Sequence, residues 1–285
     1  MKIVAVVILY NPGKEVVSNI LSYADFVEKV YVLDNTEKPG TIKDEIISLS
    51  KVVYKHDGEN KGIANRLNQA CNLAAKDGFE WLLTMDQDSS FSEKDILTYI
   101  NCIQTLANKA QTAVTGVEIA KKKDEEISCR YTEVTSLITS GSMLNLALFD
   151  AIGNFDEALF IDQVDFEYCY RAILKGYKII QFSNIFLTHS LGVSSMHKSL
   201  KSFKKTNRSL HSPIRMYYIT RNYLYIRLKY KKTFAAEISA TKKDLFIRIK
   251  NNLLYGKEKT AVIKYILKGI IDFKRKKMGK IGQLE

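Results

Sequence analysis

The stretch Trp81-Leu82-Leu83-Thr84-Met85-Asp86-Gln87-Asp88-Ser89 decides how this chain is read. Trp81–Met85 is too short and too apolar for a surface helix and reads as a buried strand. It stops at two carboxylates one residue apart. In an open α/β sheet, ligands gather beyond the carboxyl ends of the strands. Two more polar pairs stand at equivalent places: Tyr10-Asn11 after the run Ile3–Leu9, and Asp34-Asn35 after Lys29–Leu33. Together they predict a polar pocket. Two carboxylates on an extended turn suit Mg²⁺ or Mn²⁺, which can bridge diphosphate oxygens.

Outward from that stretch, strand and helix patterns alternate, as in an α/β domain. A turn at Asn11-Pro12-Gly13 leads to a helix over Glu15–Tyr23, with Val16, Val17, Ile20 and Leu21 on one face. Val52–Tyr54 reads as a strand and Ile63–Lys76 as a helix. Ser92 suits a helix N-cap, with Asp95 at the third helical position. Ala113–Val117, Cys129–Thr139 and Tyr177–Phe182 are strand candidates. Ala147–Ile152 and Val164–Lys175 read as helices, the second stopped by Gly176.

The whole chain has 285 residues, 46% of them hydrophobic and 11% aromatic, enough for a sizeable core and too apolar for a disordered chain. No apolar run reaches the ~20 residues of a membrane-spanning helix. The run Ile3–Tyr10 has neither a cationic leader nor a cleavage site, so a cytoplasmic protein is expected. Cys71, Cys102, Cys129 and Cys169 are widely spaced, without a CxxC or a Cys/His cluster. Four reduced, mostly packed thiols are expected. No GxGxxG follows the first strand, and no GxxxxGK[ST] occurs. A Rossmann dehydrogenase and a P-loop NTPase are disfavoured accordingly. A nucleotidyltransferase should carry a glycine-rich basic loop after the first strand, and Asn11-Pro12-Gly13-Lys14 is too short for one.

Charge divides the chain. Residues 196–285 hold 24 Lys and Arg against 5 Asp and Glu, a balance of +19, whereas the first 195 residues carry −7. Helical patterns at Ile214–Lys232, Lys242–Tyr255 and Lys259–Lys277 interleave this charge with apolar residues. Such helices can lie on an anionic membrane surface, peripheral to its inner face, or pack with a solvated basic side. No recognisable nucleic-acid-binding motif accompanies the charge.

Six motifs in order over about residues 3–192 resemble the inverting GT-A glycosyltransferases of family 2, in their rhamnosyltransferase-like branch. They are Val7-Ile8-Leu9-Tyr10-Asn11 with Leu33-Asp34-Asn35, Glu59-Asn60-Lys61-Gly62-Ile63-Ala64, Leu83–Ser89, Thr139-Ser140-Gly141-Ser142-Met143, Gly153-Asn154-Phe155-Asp156-Glu157, and Phe160–Glu167 with Arg171 and Gly176-Tyr177. The resemblance implies a GT-A domain over residues 1–210, a mostly parallel Rossmann-like sheet flanked by helices. A basic helical extension over 211–285 would follow it.

It also implies roles. Asp34 would accept from a pyrimidine base, with Tyr10 and Asn11 near the nucleoside and Asn35, Asn60 and Gly62 on the nucleotide side. Asn65 or Asn68 would add contacts. Asp86 would face the ribose or sugar and Asp88 would ligate Mg²⁺ or Mn²⁺. His189 would be a further metal or diphosphate contact. Ser140, Gly141 and Ser142 would stand near the acceptor, and Arg221, in an Arg-x-Tyr-Tyr-x-x-x-Arg-Asn element, near the diphosphate. Asp165, six residues before Arg171, is the implied general base. Val164 replaces the family's usual Glu, which leaves Asp162 as the alternative base. N-terminal capping of the Val164–Lys175 helix is the ordinary alternative for Asp162 and Asp165, with catalysis favoured for Asp165, and Glu167 with Arg171 reads as an i,i+4 ion pair.

The implied partners are a dTDP- or UDP-sugar donor and a glycan or polyprenyl-diphosphate-linked acceptor. dTDP-L-rhamnose leads, with UDP-hexoses or UDP-galactofuranose behind. A non-catalytic module that binds a membrane surface is the alternative of a different class.

Overall fold

The computed structural model describes residues 1–119, 129–189, 194–198 and 205–282. They form two compact units. The first comprises Met1–Phe160 and Val164–Ser190, and the second Ile161–Gln163 and Leu191–Glu285.

The first unit is built on a mixed sheet. In chain order its elements are β1 (Ile3–Leu9), α1 (Glu15–Ala24), β2 (Lys29–Asp34), α2 (Ile42–Ile47), β3 (Val52–His56), α3 (Gly62–Lys76), β4 (Trp81–Asp86), β5 (Ser89–Phe91) and α4 (Glu93–Gln104). They continue with β6 (Thr112–Glu118), β7 (Tyr131–Glu133), β8 (Ser142–Asn145), α5 (Phe149–Ile152), α6 (Val164–Leu174) and β9 (Lys178–His189). The strand order is β3-β2-β1-β4-β8-β6-β9-β5, with β7 paired to β9. β1 lies parallel between β2 and β4. Covered on both faces, it is an unbroken apolar run, as central parallel strands are.

Beyond β4 the sheet turns antiparallel at β8, which pairs with both β4 and β6. β5 runs antiparallel to the end of β9, with Ser89 opposite His189. On α1 the structure buries Val16 and Ile20 with Tyr23 and Ala24. Leu21, expected on the same face, is exposed, because the buried arc is centred one position away from it. Ser92 caps α4 as expected, its Oγ accepting from Asp95 N at 3.1 Å. Gly176, at φ +86°, ends α6 in the left-handed conformation that a residue without Cβ adopts freely.

The cysteine expectation is corrected in part. Cys71 and Cys169 are buried free thiols, and burial pushes the Cys169 thiol up to about 12. Cys102 and Cys129 instead form a disulfide with their Cα atoms 5.2 Å apart. Cys102 lies on α4, and the separation of 27 residues carries no motif that could announce the pairing.

The second unit is a hairpin of β10 (Ser194–Lys198) and β11 (Lys205–Ser209), followed by α7 (Pro213–Tyr230), α8 (Ala235–Tyr255) and α9 (Lys259–Lys274). Ser212 caps α7, with Pro213 in its first turn. Among the described residues no helix is long and apolar enough to cross a membrane.

Candidate active site

The end of β4 is tied to the end of β1 through the residue between the two carboxylates. Gln87 Oε1 accepts from Tyr10 N at 2.8 Å, and Gln87 Nε2 donates to Tyr10 O at 3.3 Å. Asn19 Nδ2 holds Gln87 O at 2.9 Å. With Gln87 fixed, Asp86 and Asp88 meet His189. One ligand atom from each lies within 4.8 Å of the others, and His189 Nδ1 is 3.4 Å from Asp88 Oδ1. Two ligands on a divalent ion at ~2.1 Å stand about 3–4 Å apart, so small side-chain turns suffice for all three to share one ion. Two carboxylates and an imidazole fit Mn²⁺ or Mg²⁺ with positions left open.

A chain of hydroxyls braces this cluster. Asp86 N donates to Ser140 Oγ at 3.2 Å, Ser140 Oγ donates to Ser89 Oγ at 2.8 Å, and Ser89 Oγ lies 2.7 Å from His189 Nδ1. Sequence reasoning missed Ser89 because its role depends on the pairing of β5 with β9. Ser190-Leu191-Gly192, which follow His189 in the sequence, lie outside the described residues. Ser140, Gly141 and Ser142, which the resemblance puts near the acceptor, lie next to this chain of hydroxyls. Ser140 and Ser142 are buried. Gly141 N donates to Thr84 O at 2.8 Å and Ser142 Oγ to Ile138 O at 2.5 Å. These residues support the carboxylate turn from behind.

The nucleotide-side residues form a second network. Asp34 is buried; its Oδ1 accepts from Thr36 N at 2.9 Å and its Oδ2 from Tyr54 OH at 2.5 Å. Burial, and then this bond to Asp34, pushes the Tyr54 hydroxyl well above its ordinary range. Tyr10 is exposed beside it along the strand ends. Asn11, at φ +48°, is anchored by its N–H to Thr36 Oγ1 at 2.9 Å.

Asn35 and Asn60 serve mainly to hold the following loop. Asn35 Oδ1 accepts from Lys61 N and Arg66 Nε at 2.8 and 3.0 Å, and Asn35 Nδ2 donates to Asn60 Oδ1 at 2.8 Å. Arg66 is buried and grips both oxygens of Asp57 at 2.6 and 2.9 Å. Its guanidinium keeps the Asp57 carboxyl well below the usual carboxylate range. Nothing in the sequence separates Arg66 from an ordinary helical arginine.

Gly62 stands at φ +82°, and a Cβ there would lie 2.5 Å from Phe160 Cδ2. That close approach lets Phe160 O accept from Ile63 N at 2.7 Å at the open end of α3. Asn65 and Asn68, expected to add nucleotide contacts, bind Glu157 instead, and Asn68 also pairs with the Phe155 backbone. Their amides are committed to the loop before Phe160.

Of the two candidate bases, Asp165 opens α6 and accepts from Phe166 N at 2.9 Å. Asp162 belongs to the short segment Ile161–Gln163 of the second unit. There Arg215 NH2 lies 3.0 Å from Asp162 Oδ1, and Asn222 Nδ2 donates to Ile161 O and Asp162 O at 2.7 and 3.0 Å. Asp162 Oδ2 is buried without a hydrogen-bond partner among the described residues. Phe160, Asp162 and Gln163 all have φ of +63 to +68°, a concentration of strained backbone found chiefly at functional sites.

Glu167 is fully buried, and it takes Arg171 at 3.2 and 2.9 Å as the expected i,i+4 pair. The resemblance puts Arg221 near the diphosphate. This residue is fully buried inside the second unit, between the Tyr217 and Tyr218 rings, and donates to Tyr217 OH and Gly279 O at 3.1 and 2.7 Å. The bond to Gly279 ties α7 to the segment after α9.

No family model matches the chain. It is 26% identical to the dTDP-rhamnosyl transferase RfbF of Shigella flexneri over 286 aligned residues, 94% of this chain and 93% of that protein. Its fold matches the crystal structure of S. aureus TarS residues 1–349 in complex with UDP-GlcNAc, with a TM-score of 0.55. That alignment has 17% identity and covers 96% of this chain and 80% of the other. The chain has the GT-A fold. A second TarS crystal structure matches this chain with a TM-score of 0.57 at 16% identity, over 96% of this chain and 49% of that one. Asp86 ends β4 and His189 ends β9, with Asp88 two residues beyond Asp86, at the kind of strand end where open α/β sheets take ligands.

Proposed function

We propose that this transferase moves L-rhamnose from dTDP-L-rhamnose to a glycan or lipid-linked acceptor, with inversion and with a divalent metal. The observation that carries the donor is the near full-length similarity to a dTDP-rhamnosyl transferase. The metal reading rests on the convergence of Asp86, Asp88 and His189. When bound, Mg²⁺ or Mn²⁺ would offset the charge that develops on the leaving diphosphate.

The chain's own residues would do the rest. Asp34, Tyr10 and Asn11 hold the nucleoside at the ends of β1 and β2. Asp165, or Asp162 in its place, takes the proton from the acceptor hydroxyl. That oxygen then bonds to the anomeric carbon as the bond to the diphosphate breaks on the opposite face. A positioned base contributes ~10²–10⁴ in rate.

A second donor reading, a UDP-sugar, is favoured by the likeness to a protein crystallised with UDP-GlcNAc. The test is proton NMR of dTDP-L-rhamnose and UDP-GlcNAc incubated with the enzyme and Mn²⁺. Release of dTDP, with rhamnose first appearing in the opposite anomeric configuration, supports the proposal. Turnover of UDP-GlcNAc alone supports the second reading, and retained configuration overturns inversion.

A further inference from the structure

On α9, Val262, Gly269 and Asp272 are buried. Gly269 lies so close to α7 that a Cβ would stand 2.8 Å from Tyr217 O, and Asp272 accepts from Tyr217 OH at 2.9 Å. This face is spent on α7. On the other side Ile263, Leu267 and Ile271 form an i, i+4, i+8 row and remain 45–53% exposed. α8 also keeps apolar residues away from its buried side, with Ile247 and Leu254 seven residues apart on one face. Ile238, Leu245 and Asn252 are its buried residues, while Phe246, Ile247 and Leu254 stay 43–59% exposed. Scattered exposed apolar residues need no explanation, but rows opposite the packed face of two successive helices do.

Exposed bases flank these rows: Lys243 and Lys250 on α8, Lys264 and Lys274 on α9, and Arg275, Lys276, Lys277 and Lys280 beyond it. Residues 235–280 hold 13 Lys and Arg against 4 Asp and Glu.

We propose that these outward faces of α8 and α9 dock on the surface of an anionic lipid bilayer. An apolar ridge with a basic flank matches what a bilayer interface offers, acyl chains below and anionic headgroups beside them. A polyanion such as nucleic acid would satisfy the lysines and leave the ridge in water. A second copy of the chain would cover the ridge and bring like charges together. The proposal stands independently of the donor reading, since none of these residues belongs to the candidate active site.

The test is co-sedimentation of the full chain with phosphatidylcholine vesicles, with and without phosphatidylglycerol. Binding should require phosphatidylglycerol and weaken with added salt. The double variant L267E/I271E should lose roughly tenfold or more in vesicle affinity. Because both positions are exposed, thermal stability and nucleotide-sugar binding should stay as in the unaltered chain. Replacing Arg275, Lys276 and Lys277 by Gln should weaken vesicle binding without touching the ridge. Equal binding to both vesicle types, or undiminished binding by L267E/I271E, overturns the proposal. So does a concentration-dependent dimer that L267E/I271E abolishes, which assigns the face to self-association. Loss of donor binding with vesicle binding intact counts against the donor reading alone.

Discussion

Ser89 Oγ and His189 Nδ1 lie 2.7 Å apart, directly opposite one another in the β5–β9 pair. The strand register therefore sets where the imidazole of the proposed metal site points, and the Ser140 hydroxyl behind Ser89 ties that setting to Asp86 N. Groups that orient a metal ligand typically change metal affinity ~10–100-fold when removed. Ser89→Ala should accordingly weaken Mn²⁺ binding by about that factor, read by electron paramagnetic resonance titration without any donor. Unchanged affinity would show that the register alone positions His189.

The two candidate bases separate by substitution. Asp165→Asn should cost ~10²–10⁴ in kcat with donor affinity kept, as expected for a general base. Asp162→Asn should cost less if the carboxylate serves chiefly to seat the Ile161–Gln163 segment against Arg215 and Asn222. In that case Arg215→Ala should reproduce the milder effect. A full loss in Asp162→Asn with Asp165→Asn active would exchange the assignments. Initial rates with saturating donor decide between them.

Glu167 is wholly buried, and its partner Arg171 also donates to Ile152 O and Asn154 O at 2.9 and 2.7 Å. Removing one member of a buried pair leaves the other charge uncompensated, at a cost of about 3–5 kcal/mol. Arg171→Met should therefore lower the unfolding free energy by that order, measured by urea denaturation. A change within ~0.5 kcal/mol, typical of surface sites, would contradict the burial argument.

Burial, and then the positive charges of Arg248 and Arg215, lower the His211 pKa to about 4, against a raising pull from Asp162 and Asp244. The folded chain resists protonating this ring while the unfolded chain accepts a proton near 6.5. Stability from this residue is thus intact above about pH 6.5 and declines as the pH falls toward 4. His211→Asn should flatten that part of the stability profile, followed by thermal unfolding across the interval. An unchanged slope in His211→Asn would remove the ring from the account.

The parts of the fold that the sequence made legible are those where one local signal dominates. β1 is apolar throughout and β4 is apolar but for Thr84 before its terminal Asp86, so their identity and their polar ends could be read directly. The same holds for Ser92 and Gly176, where a side-chain cap and a positive φ each call for one residue type. What escaped depends on partners distant in sequence. β5 is only three residues long and two of them are serines, so its pairing with β9 has no local trace. Arg66, Asn68 and Arg221 read as ligand contacts or as ordinary helix surface until their partners are known. Composition likewise could not pair Cys102 with Cys129. The strained Phe160–Gln163 segment contains no glycine, and so nothing in its residue types announced positive φ.

The central claim is a metal-dependent site for dTDP-L-rhamnose at the end of β4. Its most direct test is the thermal unfolding of the unaltered chain and of Asp88→Asn, each with dTDP-L-rhamnose in Mn²⁺ and in chelator. Donor at 100 times its Kd adds ~2.7 kcal/mol to the folded state, enough to raise Tm by several degrees. That rise is expected for the unaltered chain in Mn²⁺ only, and none for Asp88→Asn. Equal stabilisation of both proteins, or stabilisation that persists in chelator, would contradict it.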